Sequence, residues 1–101
     1  MSAQKIESLP LHDAVLDSIN LSLEKKLCRF YLHAFSIPGK TAIPHALEFE
    51  AVELVNAPLT DPWGPSPHIN TVSQSAEGFL IEMQSGDTIK VKARSFSFIP
   101  L

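Results

Sequence analysis

Residues 79–93 read Phe79-Leu80-Ile81-Glu82-Met83-Gln84-Ser85-Gly86-Asp87-Thr88-Ile89-Lys90-Val91-Lys92-Ala93. Phe79, Ile81 and Met83 alternate with Leu80, Glu82 and Gln84, and Ile89, Val91 and Ala93 alternate with Lys90, Lys92 and Arg94. A period of two sends one row toward an apolar interior and the other toward water, as in a half-buried strand. Gln84-Ser85-Gly86 then forms a three-residue hairpin loop, whose third position takes a positive φ that glycine adopts without a Cβ clash. This register sets Ile81 opposite Ile89 and Phe79 opposite Val91. Beyond Arg94 the parity reverses, because Phe96 and Phe98 are even-numbered. A β-bulge near Ser95 is expected to turn them inward again.

Upstream of this hairpin, Ile69, Thr71 and Val72 mark a further strand within the stretch that ends at Gly78. Residues 45–55, HALEFEAVELV, alternate as Leu47, Phe49 and Ala51 against Glu48 and Glu50, and then shift parity at Val52 and Leu54. A bulged strand accounts for that shift, and so does a three-turn amphipathic helix. In residues 11–35, Leu11, Val15, Ile19, Leu23, Leu27, Tyr31 and Phe35 recur every four residues, a spacing compatible with helix or strand. Ile19, Leu21 and Leu23 alternate with Ser18, Asn20 and Ser22, polar residues that are poor helix interiors. Cys28, Phe30, Leu32 and Ala34 form a second alternating row after the polar Glu24-Lys25-Lys26. A β-hairpin is therefore preferred here, with one long helix as the alternative. Breaks fall at Pro38-Gly39 with Pro44, and between Pro58 and Pro67. The expected architecture is mostly β: a single-domain antiparallel sheet of about six strands, forming a small barrel or sandwich. It spans residues 1–101, with 1–10 as a loosely ordered N-terminal arm.

Composition narrows the function classes. The chain has 101 residues, 45% hydrophobic, with eight Lys and Arg against eleven Asp and Glu. A formal charge of −3 offers no general attraction to phosphate backbones, so no nucleic-acid partner is expected. A single cysteine excludes an internal disulfide, and no apolar run approaches the roughly 18 residues of a membrane helix. The opening MSAQKIESLP lacks the apolar centre of a secretory signal. These features point to a cytoplasmic domain with no membrane partner.

The most unusual segment runs from Pro58 to Asn70. Asp61-Pro62-Trp63-Gly64 carries preferred β-turn residues at its first, second and fourth places. Pro65 and Pro67, on either side of Ser66, hold the chain extended. The only tryptophan is therefore presented by a stiff loop, either as a cap on the open end of the barrel or as a contact for a partner or ligand. His12-Asp13 precedes the first strand and His68 follows the stiff loop. If those ends meet, His12, Asp13, Asp61 and His68 make a polar cluster. Histidines 12, 33, 45 and 68 show no metal-ligand spacing, so neither metal nor cofactor is expected. Cys28 lies in an apolar row and reads as a small core residue. No G-x-S-x-G elbow and no glycine-rich phosphate loop occurs, so no catalytic residue is assigned. The rows Lys90-Lys92-Arg94 and Glu48-Glu50 read as complementary charges on neighbouring solvated strands.

Leu11-His12-Asp13-Ala14, Pro62-Trp63-Gly64-Pro65-Ser66 with Ile69-Asn70, and Ile81-Glu82-Met83-Gln84-Ser85-Gly86-Asp87-Thr88-Ile89 together resemble segments of a group of small uncharacterised bacterial proteins, some of them immunity-like partners of toxins. The resemblance implies a small mostly-β fold, and it implies that these three segments matter together. The expected function is a non-enzymatic protein-interaction domain, immunity-like in role, with a protein partner or a second copy of itself. Binding would involve His12, Asp13, Asp61, Trp63, Ser66 and His68. A small-molecule-binding or enzymatic barrel with its ligand in the mouth beside Trp63, His12 and His68 is the alternative.

Overall fold

The computed structural model describes residues 5–35 and 41–101. The described residues form eight strands: β1 (Val15–Ser22), β2 (Leu27–Ala34), β3 (Ile43–Glu50), β4 (Leu54–Asn56), β5 (Ile69–Ser75), β6 (Gly78–Met83), β7 (Thr88–Lys92) and β8 (Ser95–Pro100). They make two four-stranded antiparallel sheets, ordered β1-β2-β3-β8 and β4-β7-β6-β5, packed as a sandwich and not closed into a barrel. Residues 11–35 carry β1 and β2, residues 45–55 run from β3 into β4, and the helical alternatives do not occur in either stretch. The break at Pro38-Gly39 lies outside the described residues.

The hairpin of residues 79–93 has the expected register, with Phe79 opposite Val91 and Ile81 opposite Ile89. Its loop closes through the Met83 N–H on the Asp87 carbonyl at 2.8 Å, and Gly86 takes φ +92°. In the first hairpin, Ile19 faces Phe30 and Leu21 faces Cys28. Its turn ends at Lys26, in the left-handed region at φ +56°.

Both parity reversals have a cause other than a bulge. After Glu50 the chain leaves one sheet and enters the other at Leu54, passing through Ala51 at φ +54°. After Lys92 it crosses back and enters β8 at Ser95. The two crossings lie side by side, tied by the Glu53 N–H on the Lys92 carbonyl at 2.7 Å and the Arg94 N–H on the Glu50 carbonyl at 3.0 Å. A strand that changes sheets must reverse its parity, because the two sheets present opposite faces to one interior. The expected bulges at Ser95 and within 45–55 are corrected accordingly. This exchange, together with the short strand β4, raises the count from about six strands to eight.

The interior joins the sheets through aromatic rings. Phe49 meets Phe30 edge-on at 5.4 Å and Phe79 of the opposite sheet at 5.1 Å, and Phe79 meets Phe96 at 5.5 Å. Such ring pairs add to the area that they bury. Cys28 lies fully buried beside them, and burial pushes its thiol up to about 11. Where a loose arm was expected, residues 5–10 are anchored: a 3-10 turn spans Ile6–Ser8, Ile6 is fully buried in the core, and Leu9 is buried as well. An isoleucine and two leucines (Ile6, Leu9, Leu11) within six residues supply enough apolar area to hold such a segment down.

The charged rows do not face one another as expected, because β3 and β7 belong to different sheets. Arg29 pairs with Glu48, Lys90 with Glu77 at 3.2 Å, and Lys92 with Glu53 at 3.5 Å.

Candidate functional site

The stiff loop is built around one carboxylate. Asp87, at the mouth of the β6–β7 hairpin, is buried. Its Oδ1 accepts the Thr60 hydroxyl at 2.6 Å and the Thr60 N–H at 3.3 Å, and its Oδ2 accepts the Asp61 N–H at 2.8 Å and the Ser85 hydroxyl at 3.3 Å. These donors, the Thr60 hydroxyl foremost, hold the Asp87 carboxyl below the usual carboxylate range. Two backbone bonds complete the clamp. The Gly64 N–H reaches the Asp61 carbonyl at 2.9 Å, closing the expected turn, and the Trp63 N–H reaches the Ser85 carbonyl at 2.9 Å.

The indole lies against the hairpin tip. A Cβ placed on Gly86 would come within 2.8 Å of both Trp63 Cδ2 and Pro62 Cγ. Trp63 nevertheless keeps 77% of its surface exposed, and neighbouring Leu59 keeps 87%. The capping alternative is therefore corrected: the ring rests on glycine and turns its other face to solvent, because the sandwich has no open barrel mouth for it to fill.

Beside this ledge runs a groove with a cavity of about 310 Å³. One wall is β1 from Leu16 to Ile19, the other is Ala57–Leu59 with Asp61, Ser66 and Pro67, and the floor includes Met83, Ser85 and Ile89. Asp17, Asp61 and Asp87 line it, and no basic side chain does.

The ends of the chain segments that carry the sequence-predicted residues do meet. The Leu16 N–H reaches the Pro67 carbonyl at 2.8 Å, the Asp13 N–H reaches the Ile69 carbonyl at 2.8 Å, and Val15 bridges His68. The four-residue polar cluster nevertheless does not assemble among the described residues. His12 Nδ1 donates to the Asn70 carbonyl at 2.7 Å, and Asp13 Oδ1 accepts from Gln84 Nε2 at 2.6 Å. His12 and Asp13 border a separate shallow hollow with Leu9, Pro10 and Phe35. The His68 N–H is held by the Ser66 hydroxyl at 3.2 Å. Of the six expected residues, Asp61 and Ser66 line the groove and Trp63 stands beside it.

Sequence reasoning missed Leu16, Asp17, Leu59 and Met83, and took Asp87 only as part of a turn. The signal available for Asp87 was a carboxylate directly after the loop glycine, positioned to accept donors from a crossing chain. His33 donates from Nδ1 to Asp17 at 2.7 Å, and His45 is buried, stacked on Phe98 at 4.5 Å with its Nδ1 on the Ile43 carbonyl. Among the described residues, no group of three or more His, Cys, Asp or Glu side chains has metal-binding geometry, and no helix is long and apolar enough to cross a membrane. Set against known proteins, the chain matches no family model, no curated protein and no solved structure.

Proposed function

We propose that this domain is a non-enzymatic interaction protein, immunity-like in role, which holds another protein against the groove beside Trp63. The observation that carries the reading is the tryptophan itself, 77% exposed yet held by an interlocked loop. Exposing an indole forgoes about 1.5–3 kcal/mol of burial, an arrangement favoured where a partner supplies the cover. A preordered aromatic also loses little entropy on binding. A cytoplasmic setting fits a chain whose single cysteine is a buried thiol.

A small molecule in the groove is the second reading, favoured by its volume, which lies at the lower end of the range of about 300–1,000 Å³ for ligand sites. Neither His12 nor His68 lines that cavity, so a ligand held there would not sit beside these histidines.

The test compares wild type with Trp63→Ala/Leu59→Ser as bait in extract from the source cells. Both side chains are exposed, so the thermal midpoint should stay within about 2 °C. Capture of a stoichiometric protein should fall at least tenfold. Undiminished capture by the folded variant would refute the proposal, and thermal stabilisation by a small molecule with no protein captured would favour the second reading.

A further inference from the structure

The sandwich has four edge strands, and two of them are closed to newcomers. Edge β5 is covered by the 3-10 turn, with the Gln74 N–H bonded to the Glu7 carboxylate at 3.1 Å. Edge β4 has three residues. Edge β8 has no strand partner beyond β3 among the described residues, but none of its residues lines the groove. Edge β1 differs. Its start is paired to Pro67 and His68, and a bulge lies between Leu16 and Ser18. From Ser18 to Ser22 the side away from β2 has no strand partner among the described residues. Ser18, Asn20 and Ser22 bring neither the charge nor the proline that usually blunts an exposed edge.

That free edge borders the groove, and the groove has a sign. The Asp61 carboxylate makes no hydrogen bond or ion pair among the described residues, and Asp17 meets only His33. With Asp87 they give the cavity three carboxylates and no basic side chain. The remaining walls combine apolar Leu16, Pro58 and Met83 with the hydroxyls of Ser18, Ser66 and Ser85.

We infer that the groove receives an extended segment of the partner protein, added as a strand along Ser18–Ser22, with a lysine or arginine of that segment facing Asp17 and Asp61. The inference rests on the interaction reading of the same groove and names what enters it. An added strand supplies the backbone bonds that β1 lacks, while alternate side chains reach the cavity and solvent. A second copy of this chain suits the edge poorly, because two-fold pairing of β1 with β1 would set the acidic grooves of two chains, each at −3, against each other.

The probe is a blocked octapeptide of alternating valine and threonine with one central lysine. It is compared with its glutamate counterpart and with a version N-methylated on alternate amides. Amide shifts and Trp63 fluorescence are followed in the full chain. The lysine peptide should perturb Ser18–Ser22 and Trp63, and its affinity should fall roughly tenfold with glutamate, with N-methylation, or in Asp17→Asn/Asp61→Asn. Equal binding of the lysine and glutamate peptides, shifts confined to another surface, or no binding at millimolar concentration would each overturn the inference. So would concentration-dependent β1 shifts without peptide, which would assign the edge to self-association. None of these results depends on extract capture, so the interaction reading stands or falls separately.

Discussion

Gly86 satisfies two demands that come from different parts of the chain. The hairpin needs φ +92° at this position, and the crossing loop needs an absent Cβ, since Trp63 and Pro62 both lie where that atom would be. The first demand is local and legible in Gln84-Ser85-Gly86. The second is not, because nothing in the pattern of either segment says that they touch. Gly86→Ala should therefore disturb more than the turn. Left-handed strain costs about 1–3 kcal/mol, and the indole must also move. The expected outcome is a lower urea midpoint together with a shifted Trp63 emission maximum. An unchanged emission spectrum would show that the ring does not rest on this glycine.

Among the elements, the loop from Pro58 to His68 has the least regular structure and the most specific anchorage. It is pinned by Asp87, whose carboxyl is held below its ordinary range by the donors around it. A group depressed in the folded state contributes stability above its unfolded pKa of about 3.9, and that contribution is lost as pH falls through the lower folded value. Acidification below about pH 4 should therefore loosen the loop, read as a Trp63 fluorescence transition. In Asp87→Asn the loop should already be loosened at pH 7, and the transition should be absent. An identical transition in wild type and variant would assign it to another carboxylate. Proline and turn chemistry foretold that this loop is stiff, but its anchor lies in another hairpin. The parity reversals at Ala51 and Ser95 show the same limit. Each reversal is visible in the residues, and either a bulge or a change of sheet produces it.

At the scale of the whole molecule, the core depends on contributions far apart in the chain. Ile6 comes from a segment whose composition suggests an arm, yet it lies fully buried in the cluster that contains Phe30, Phe49 and Phe79. Ile6→Ala should cost about 2–5 kcal/mol with an unchanged denaturant slope, the mark of a cavity in a cooperative core. A loss below about 0.5 kcal/mol would show the N-terminal turn to be peripheral. The aromatic chain Phe30–Phe49–Phe79–Phe96 makes the same point, since one link crosses between sheets and the next crosses back.

By itself the sequence determined a mostly-β chain, the β6–β7 hairpin with its register, and the stiffness of the tryptophan loop, while favouring strands over helices in residues 11–35 and 45–55. Each follows from side-chain alternation or turn preferences acting within a few residues. Only the tertiary structure decided which strands share a sheet, that Trp63 lies outward on Gly86, and that Asp17, Asp61 and Asp87 line one groove. Those outcomes depend on burial and hydrogen-bond satisfaction among segments distant along the chain, and no local pattern of residues carries that information.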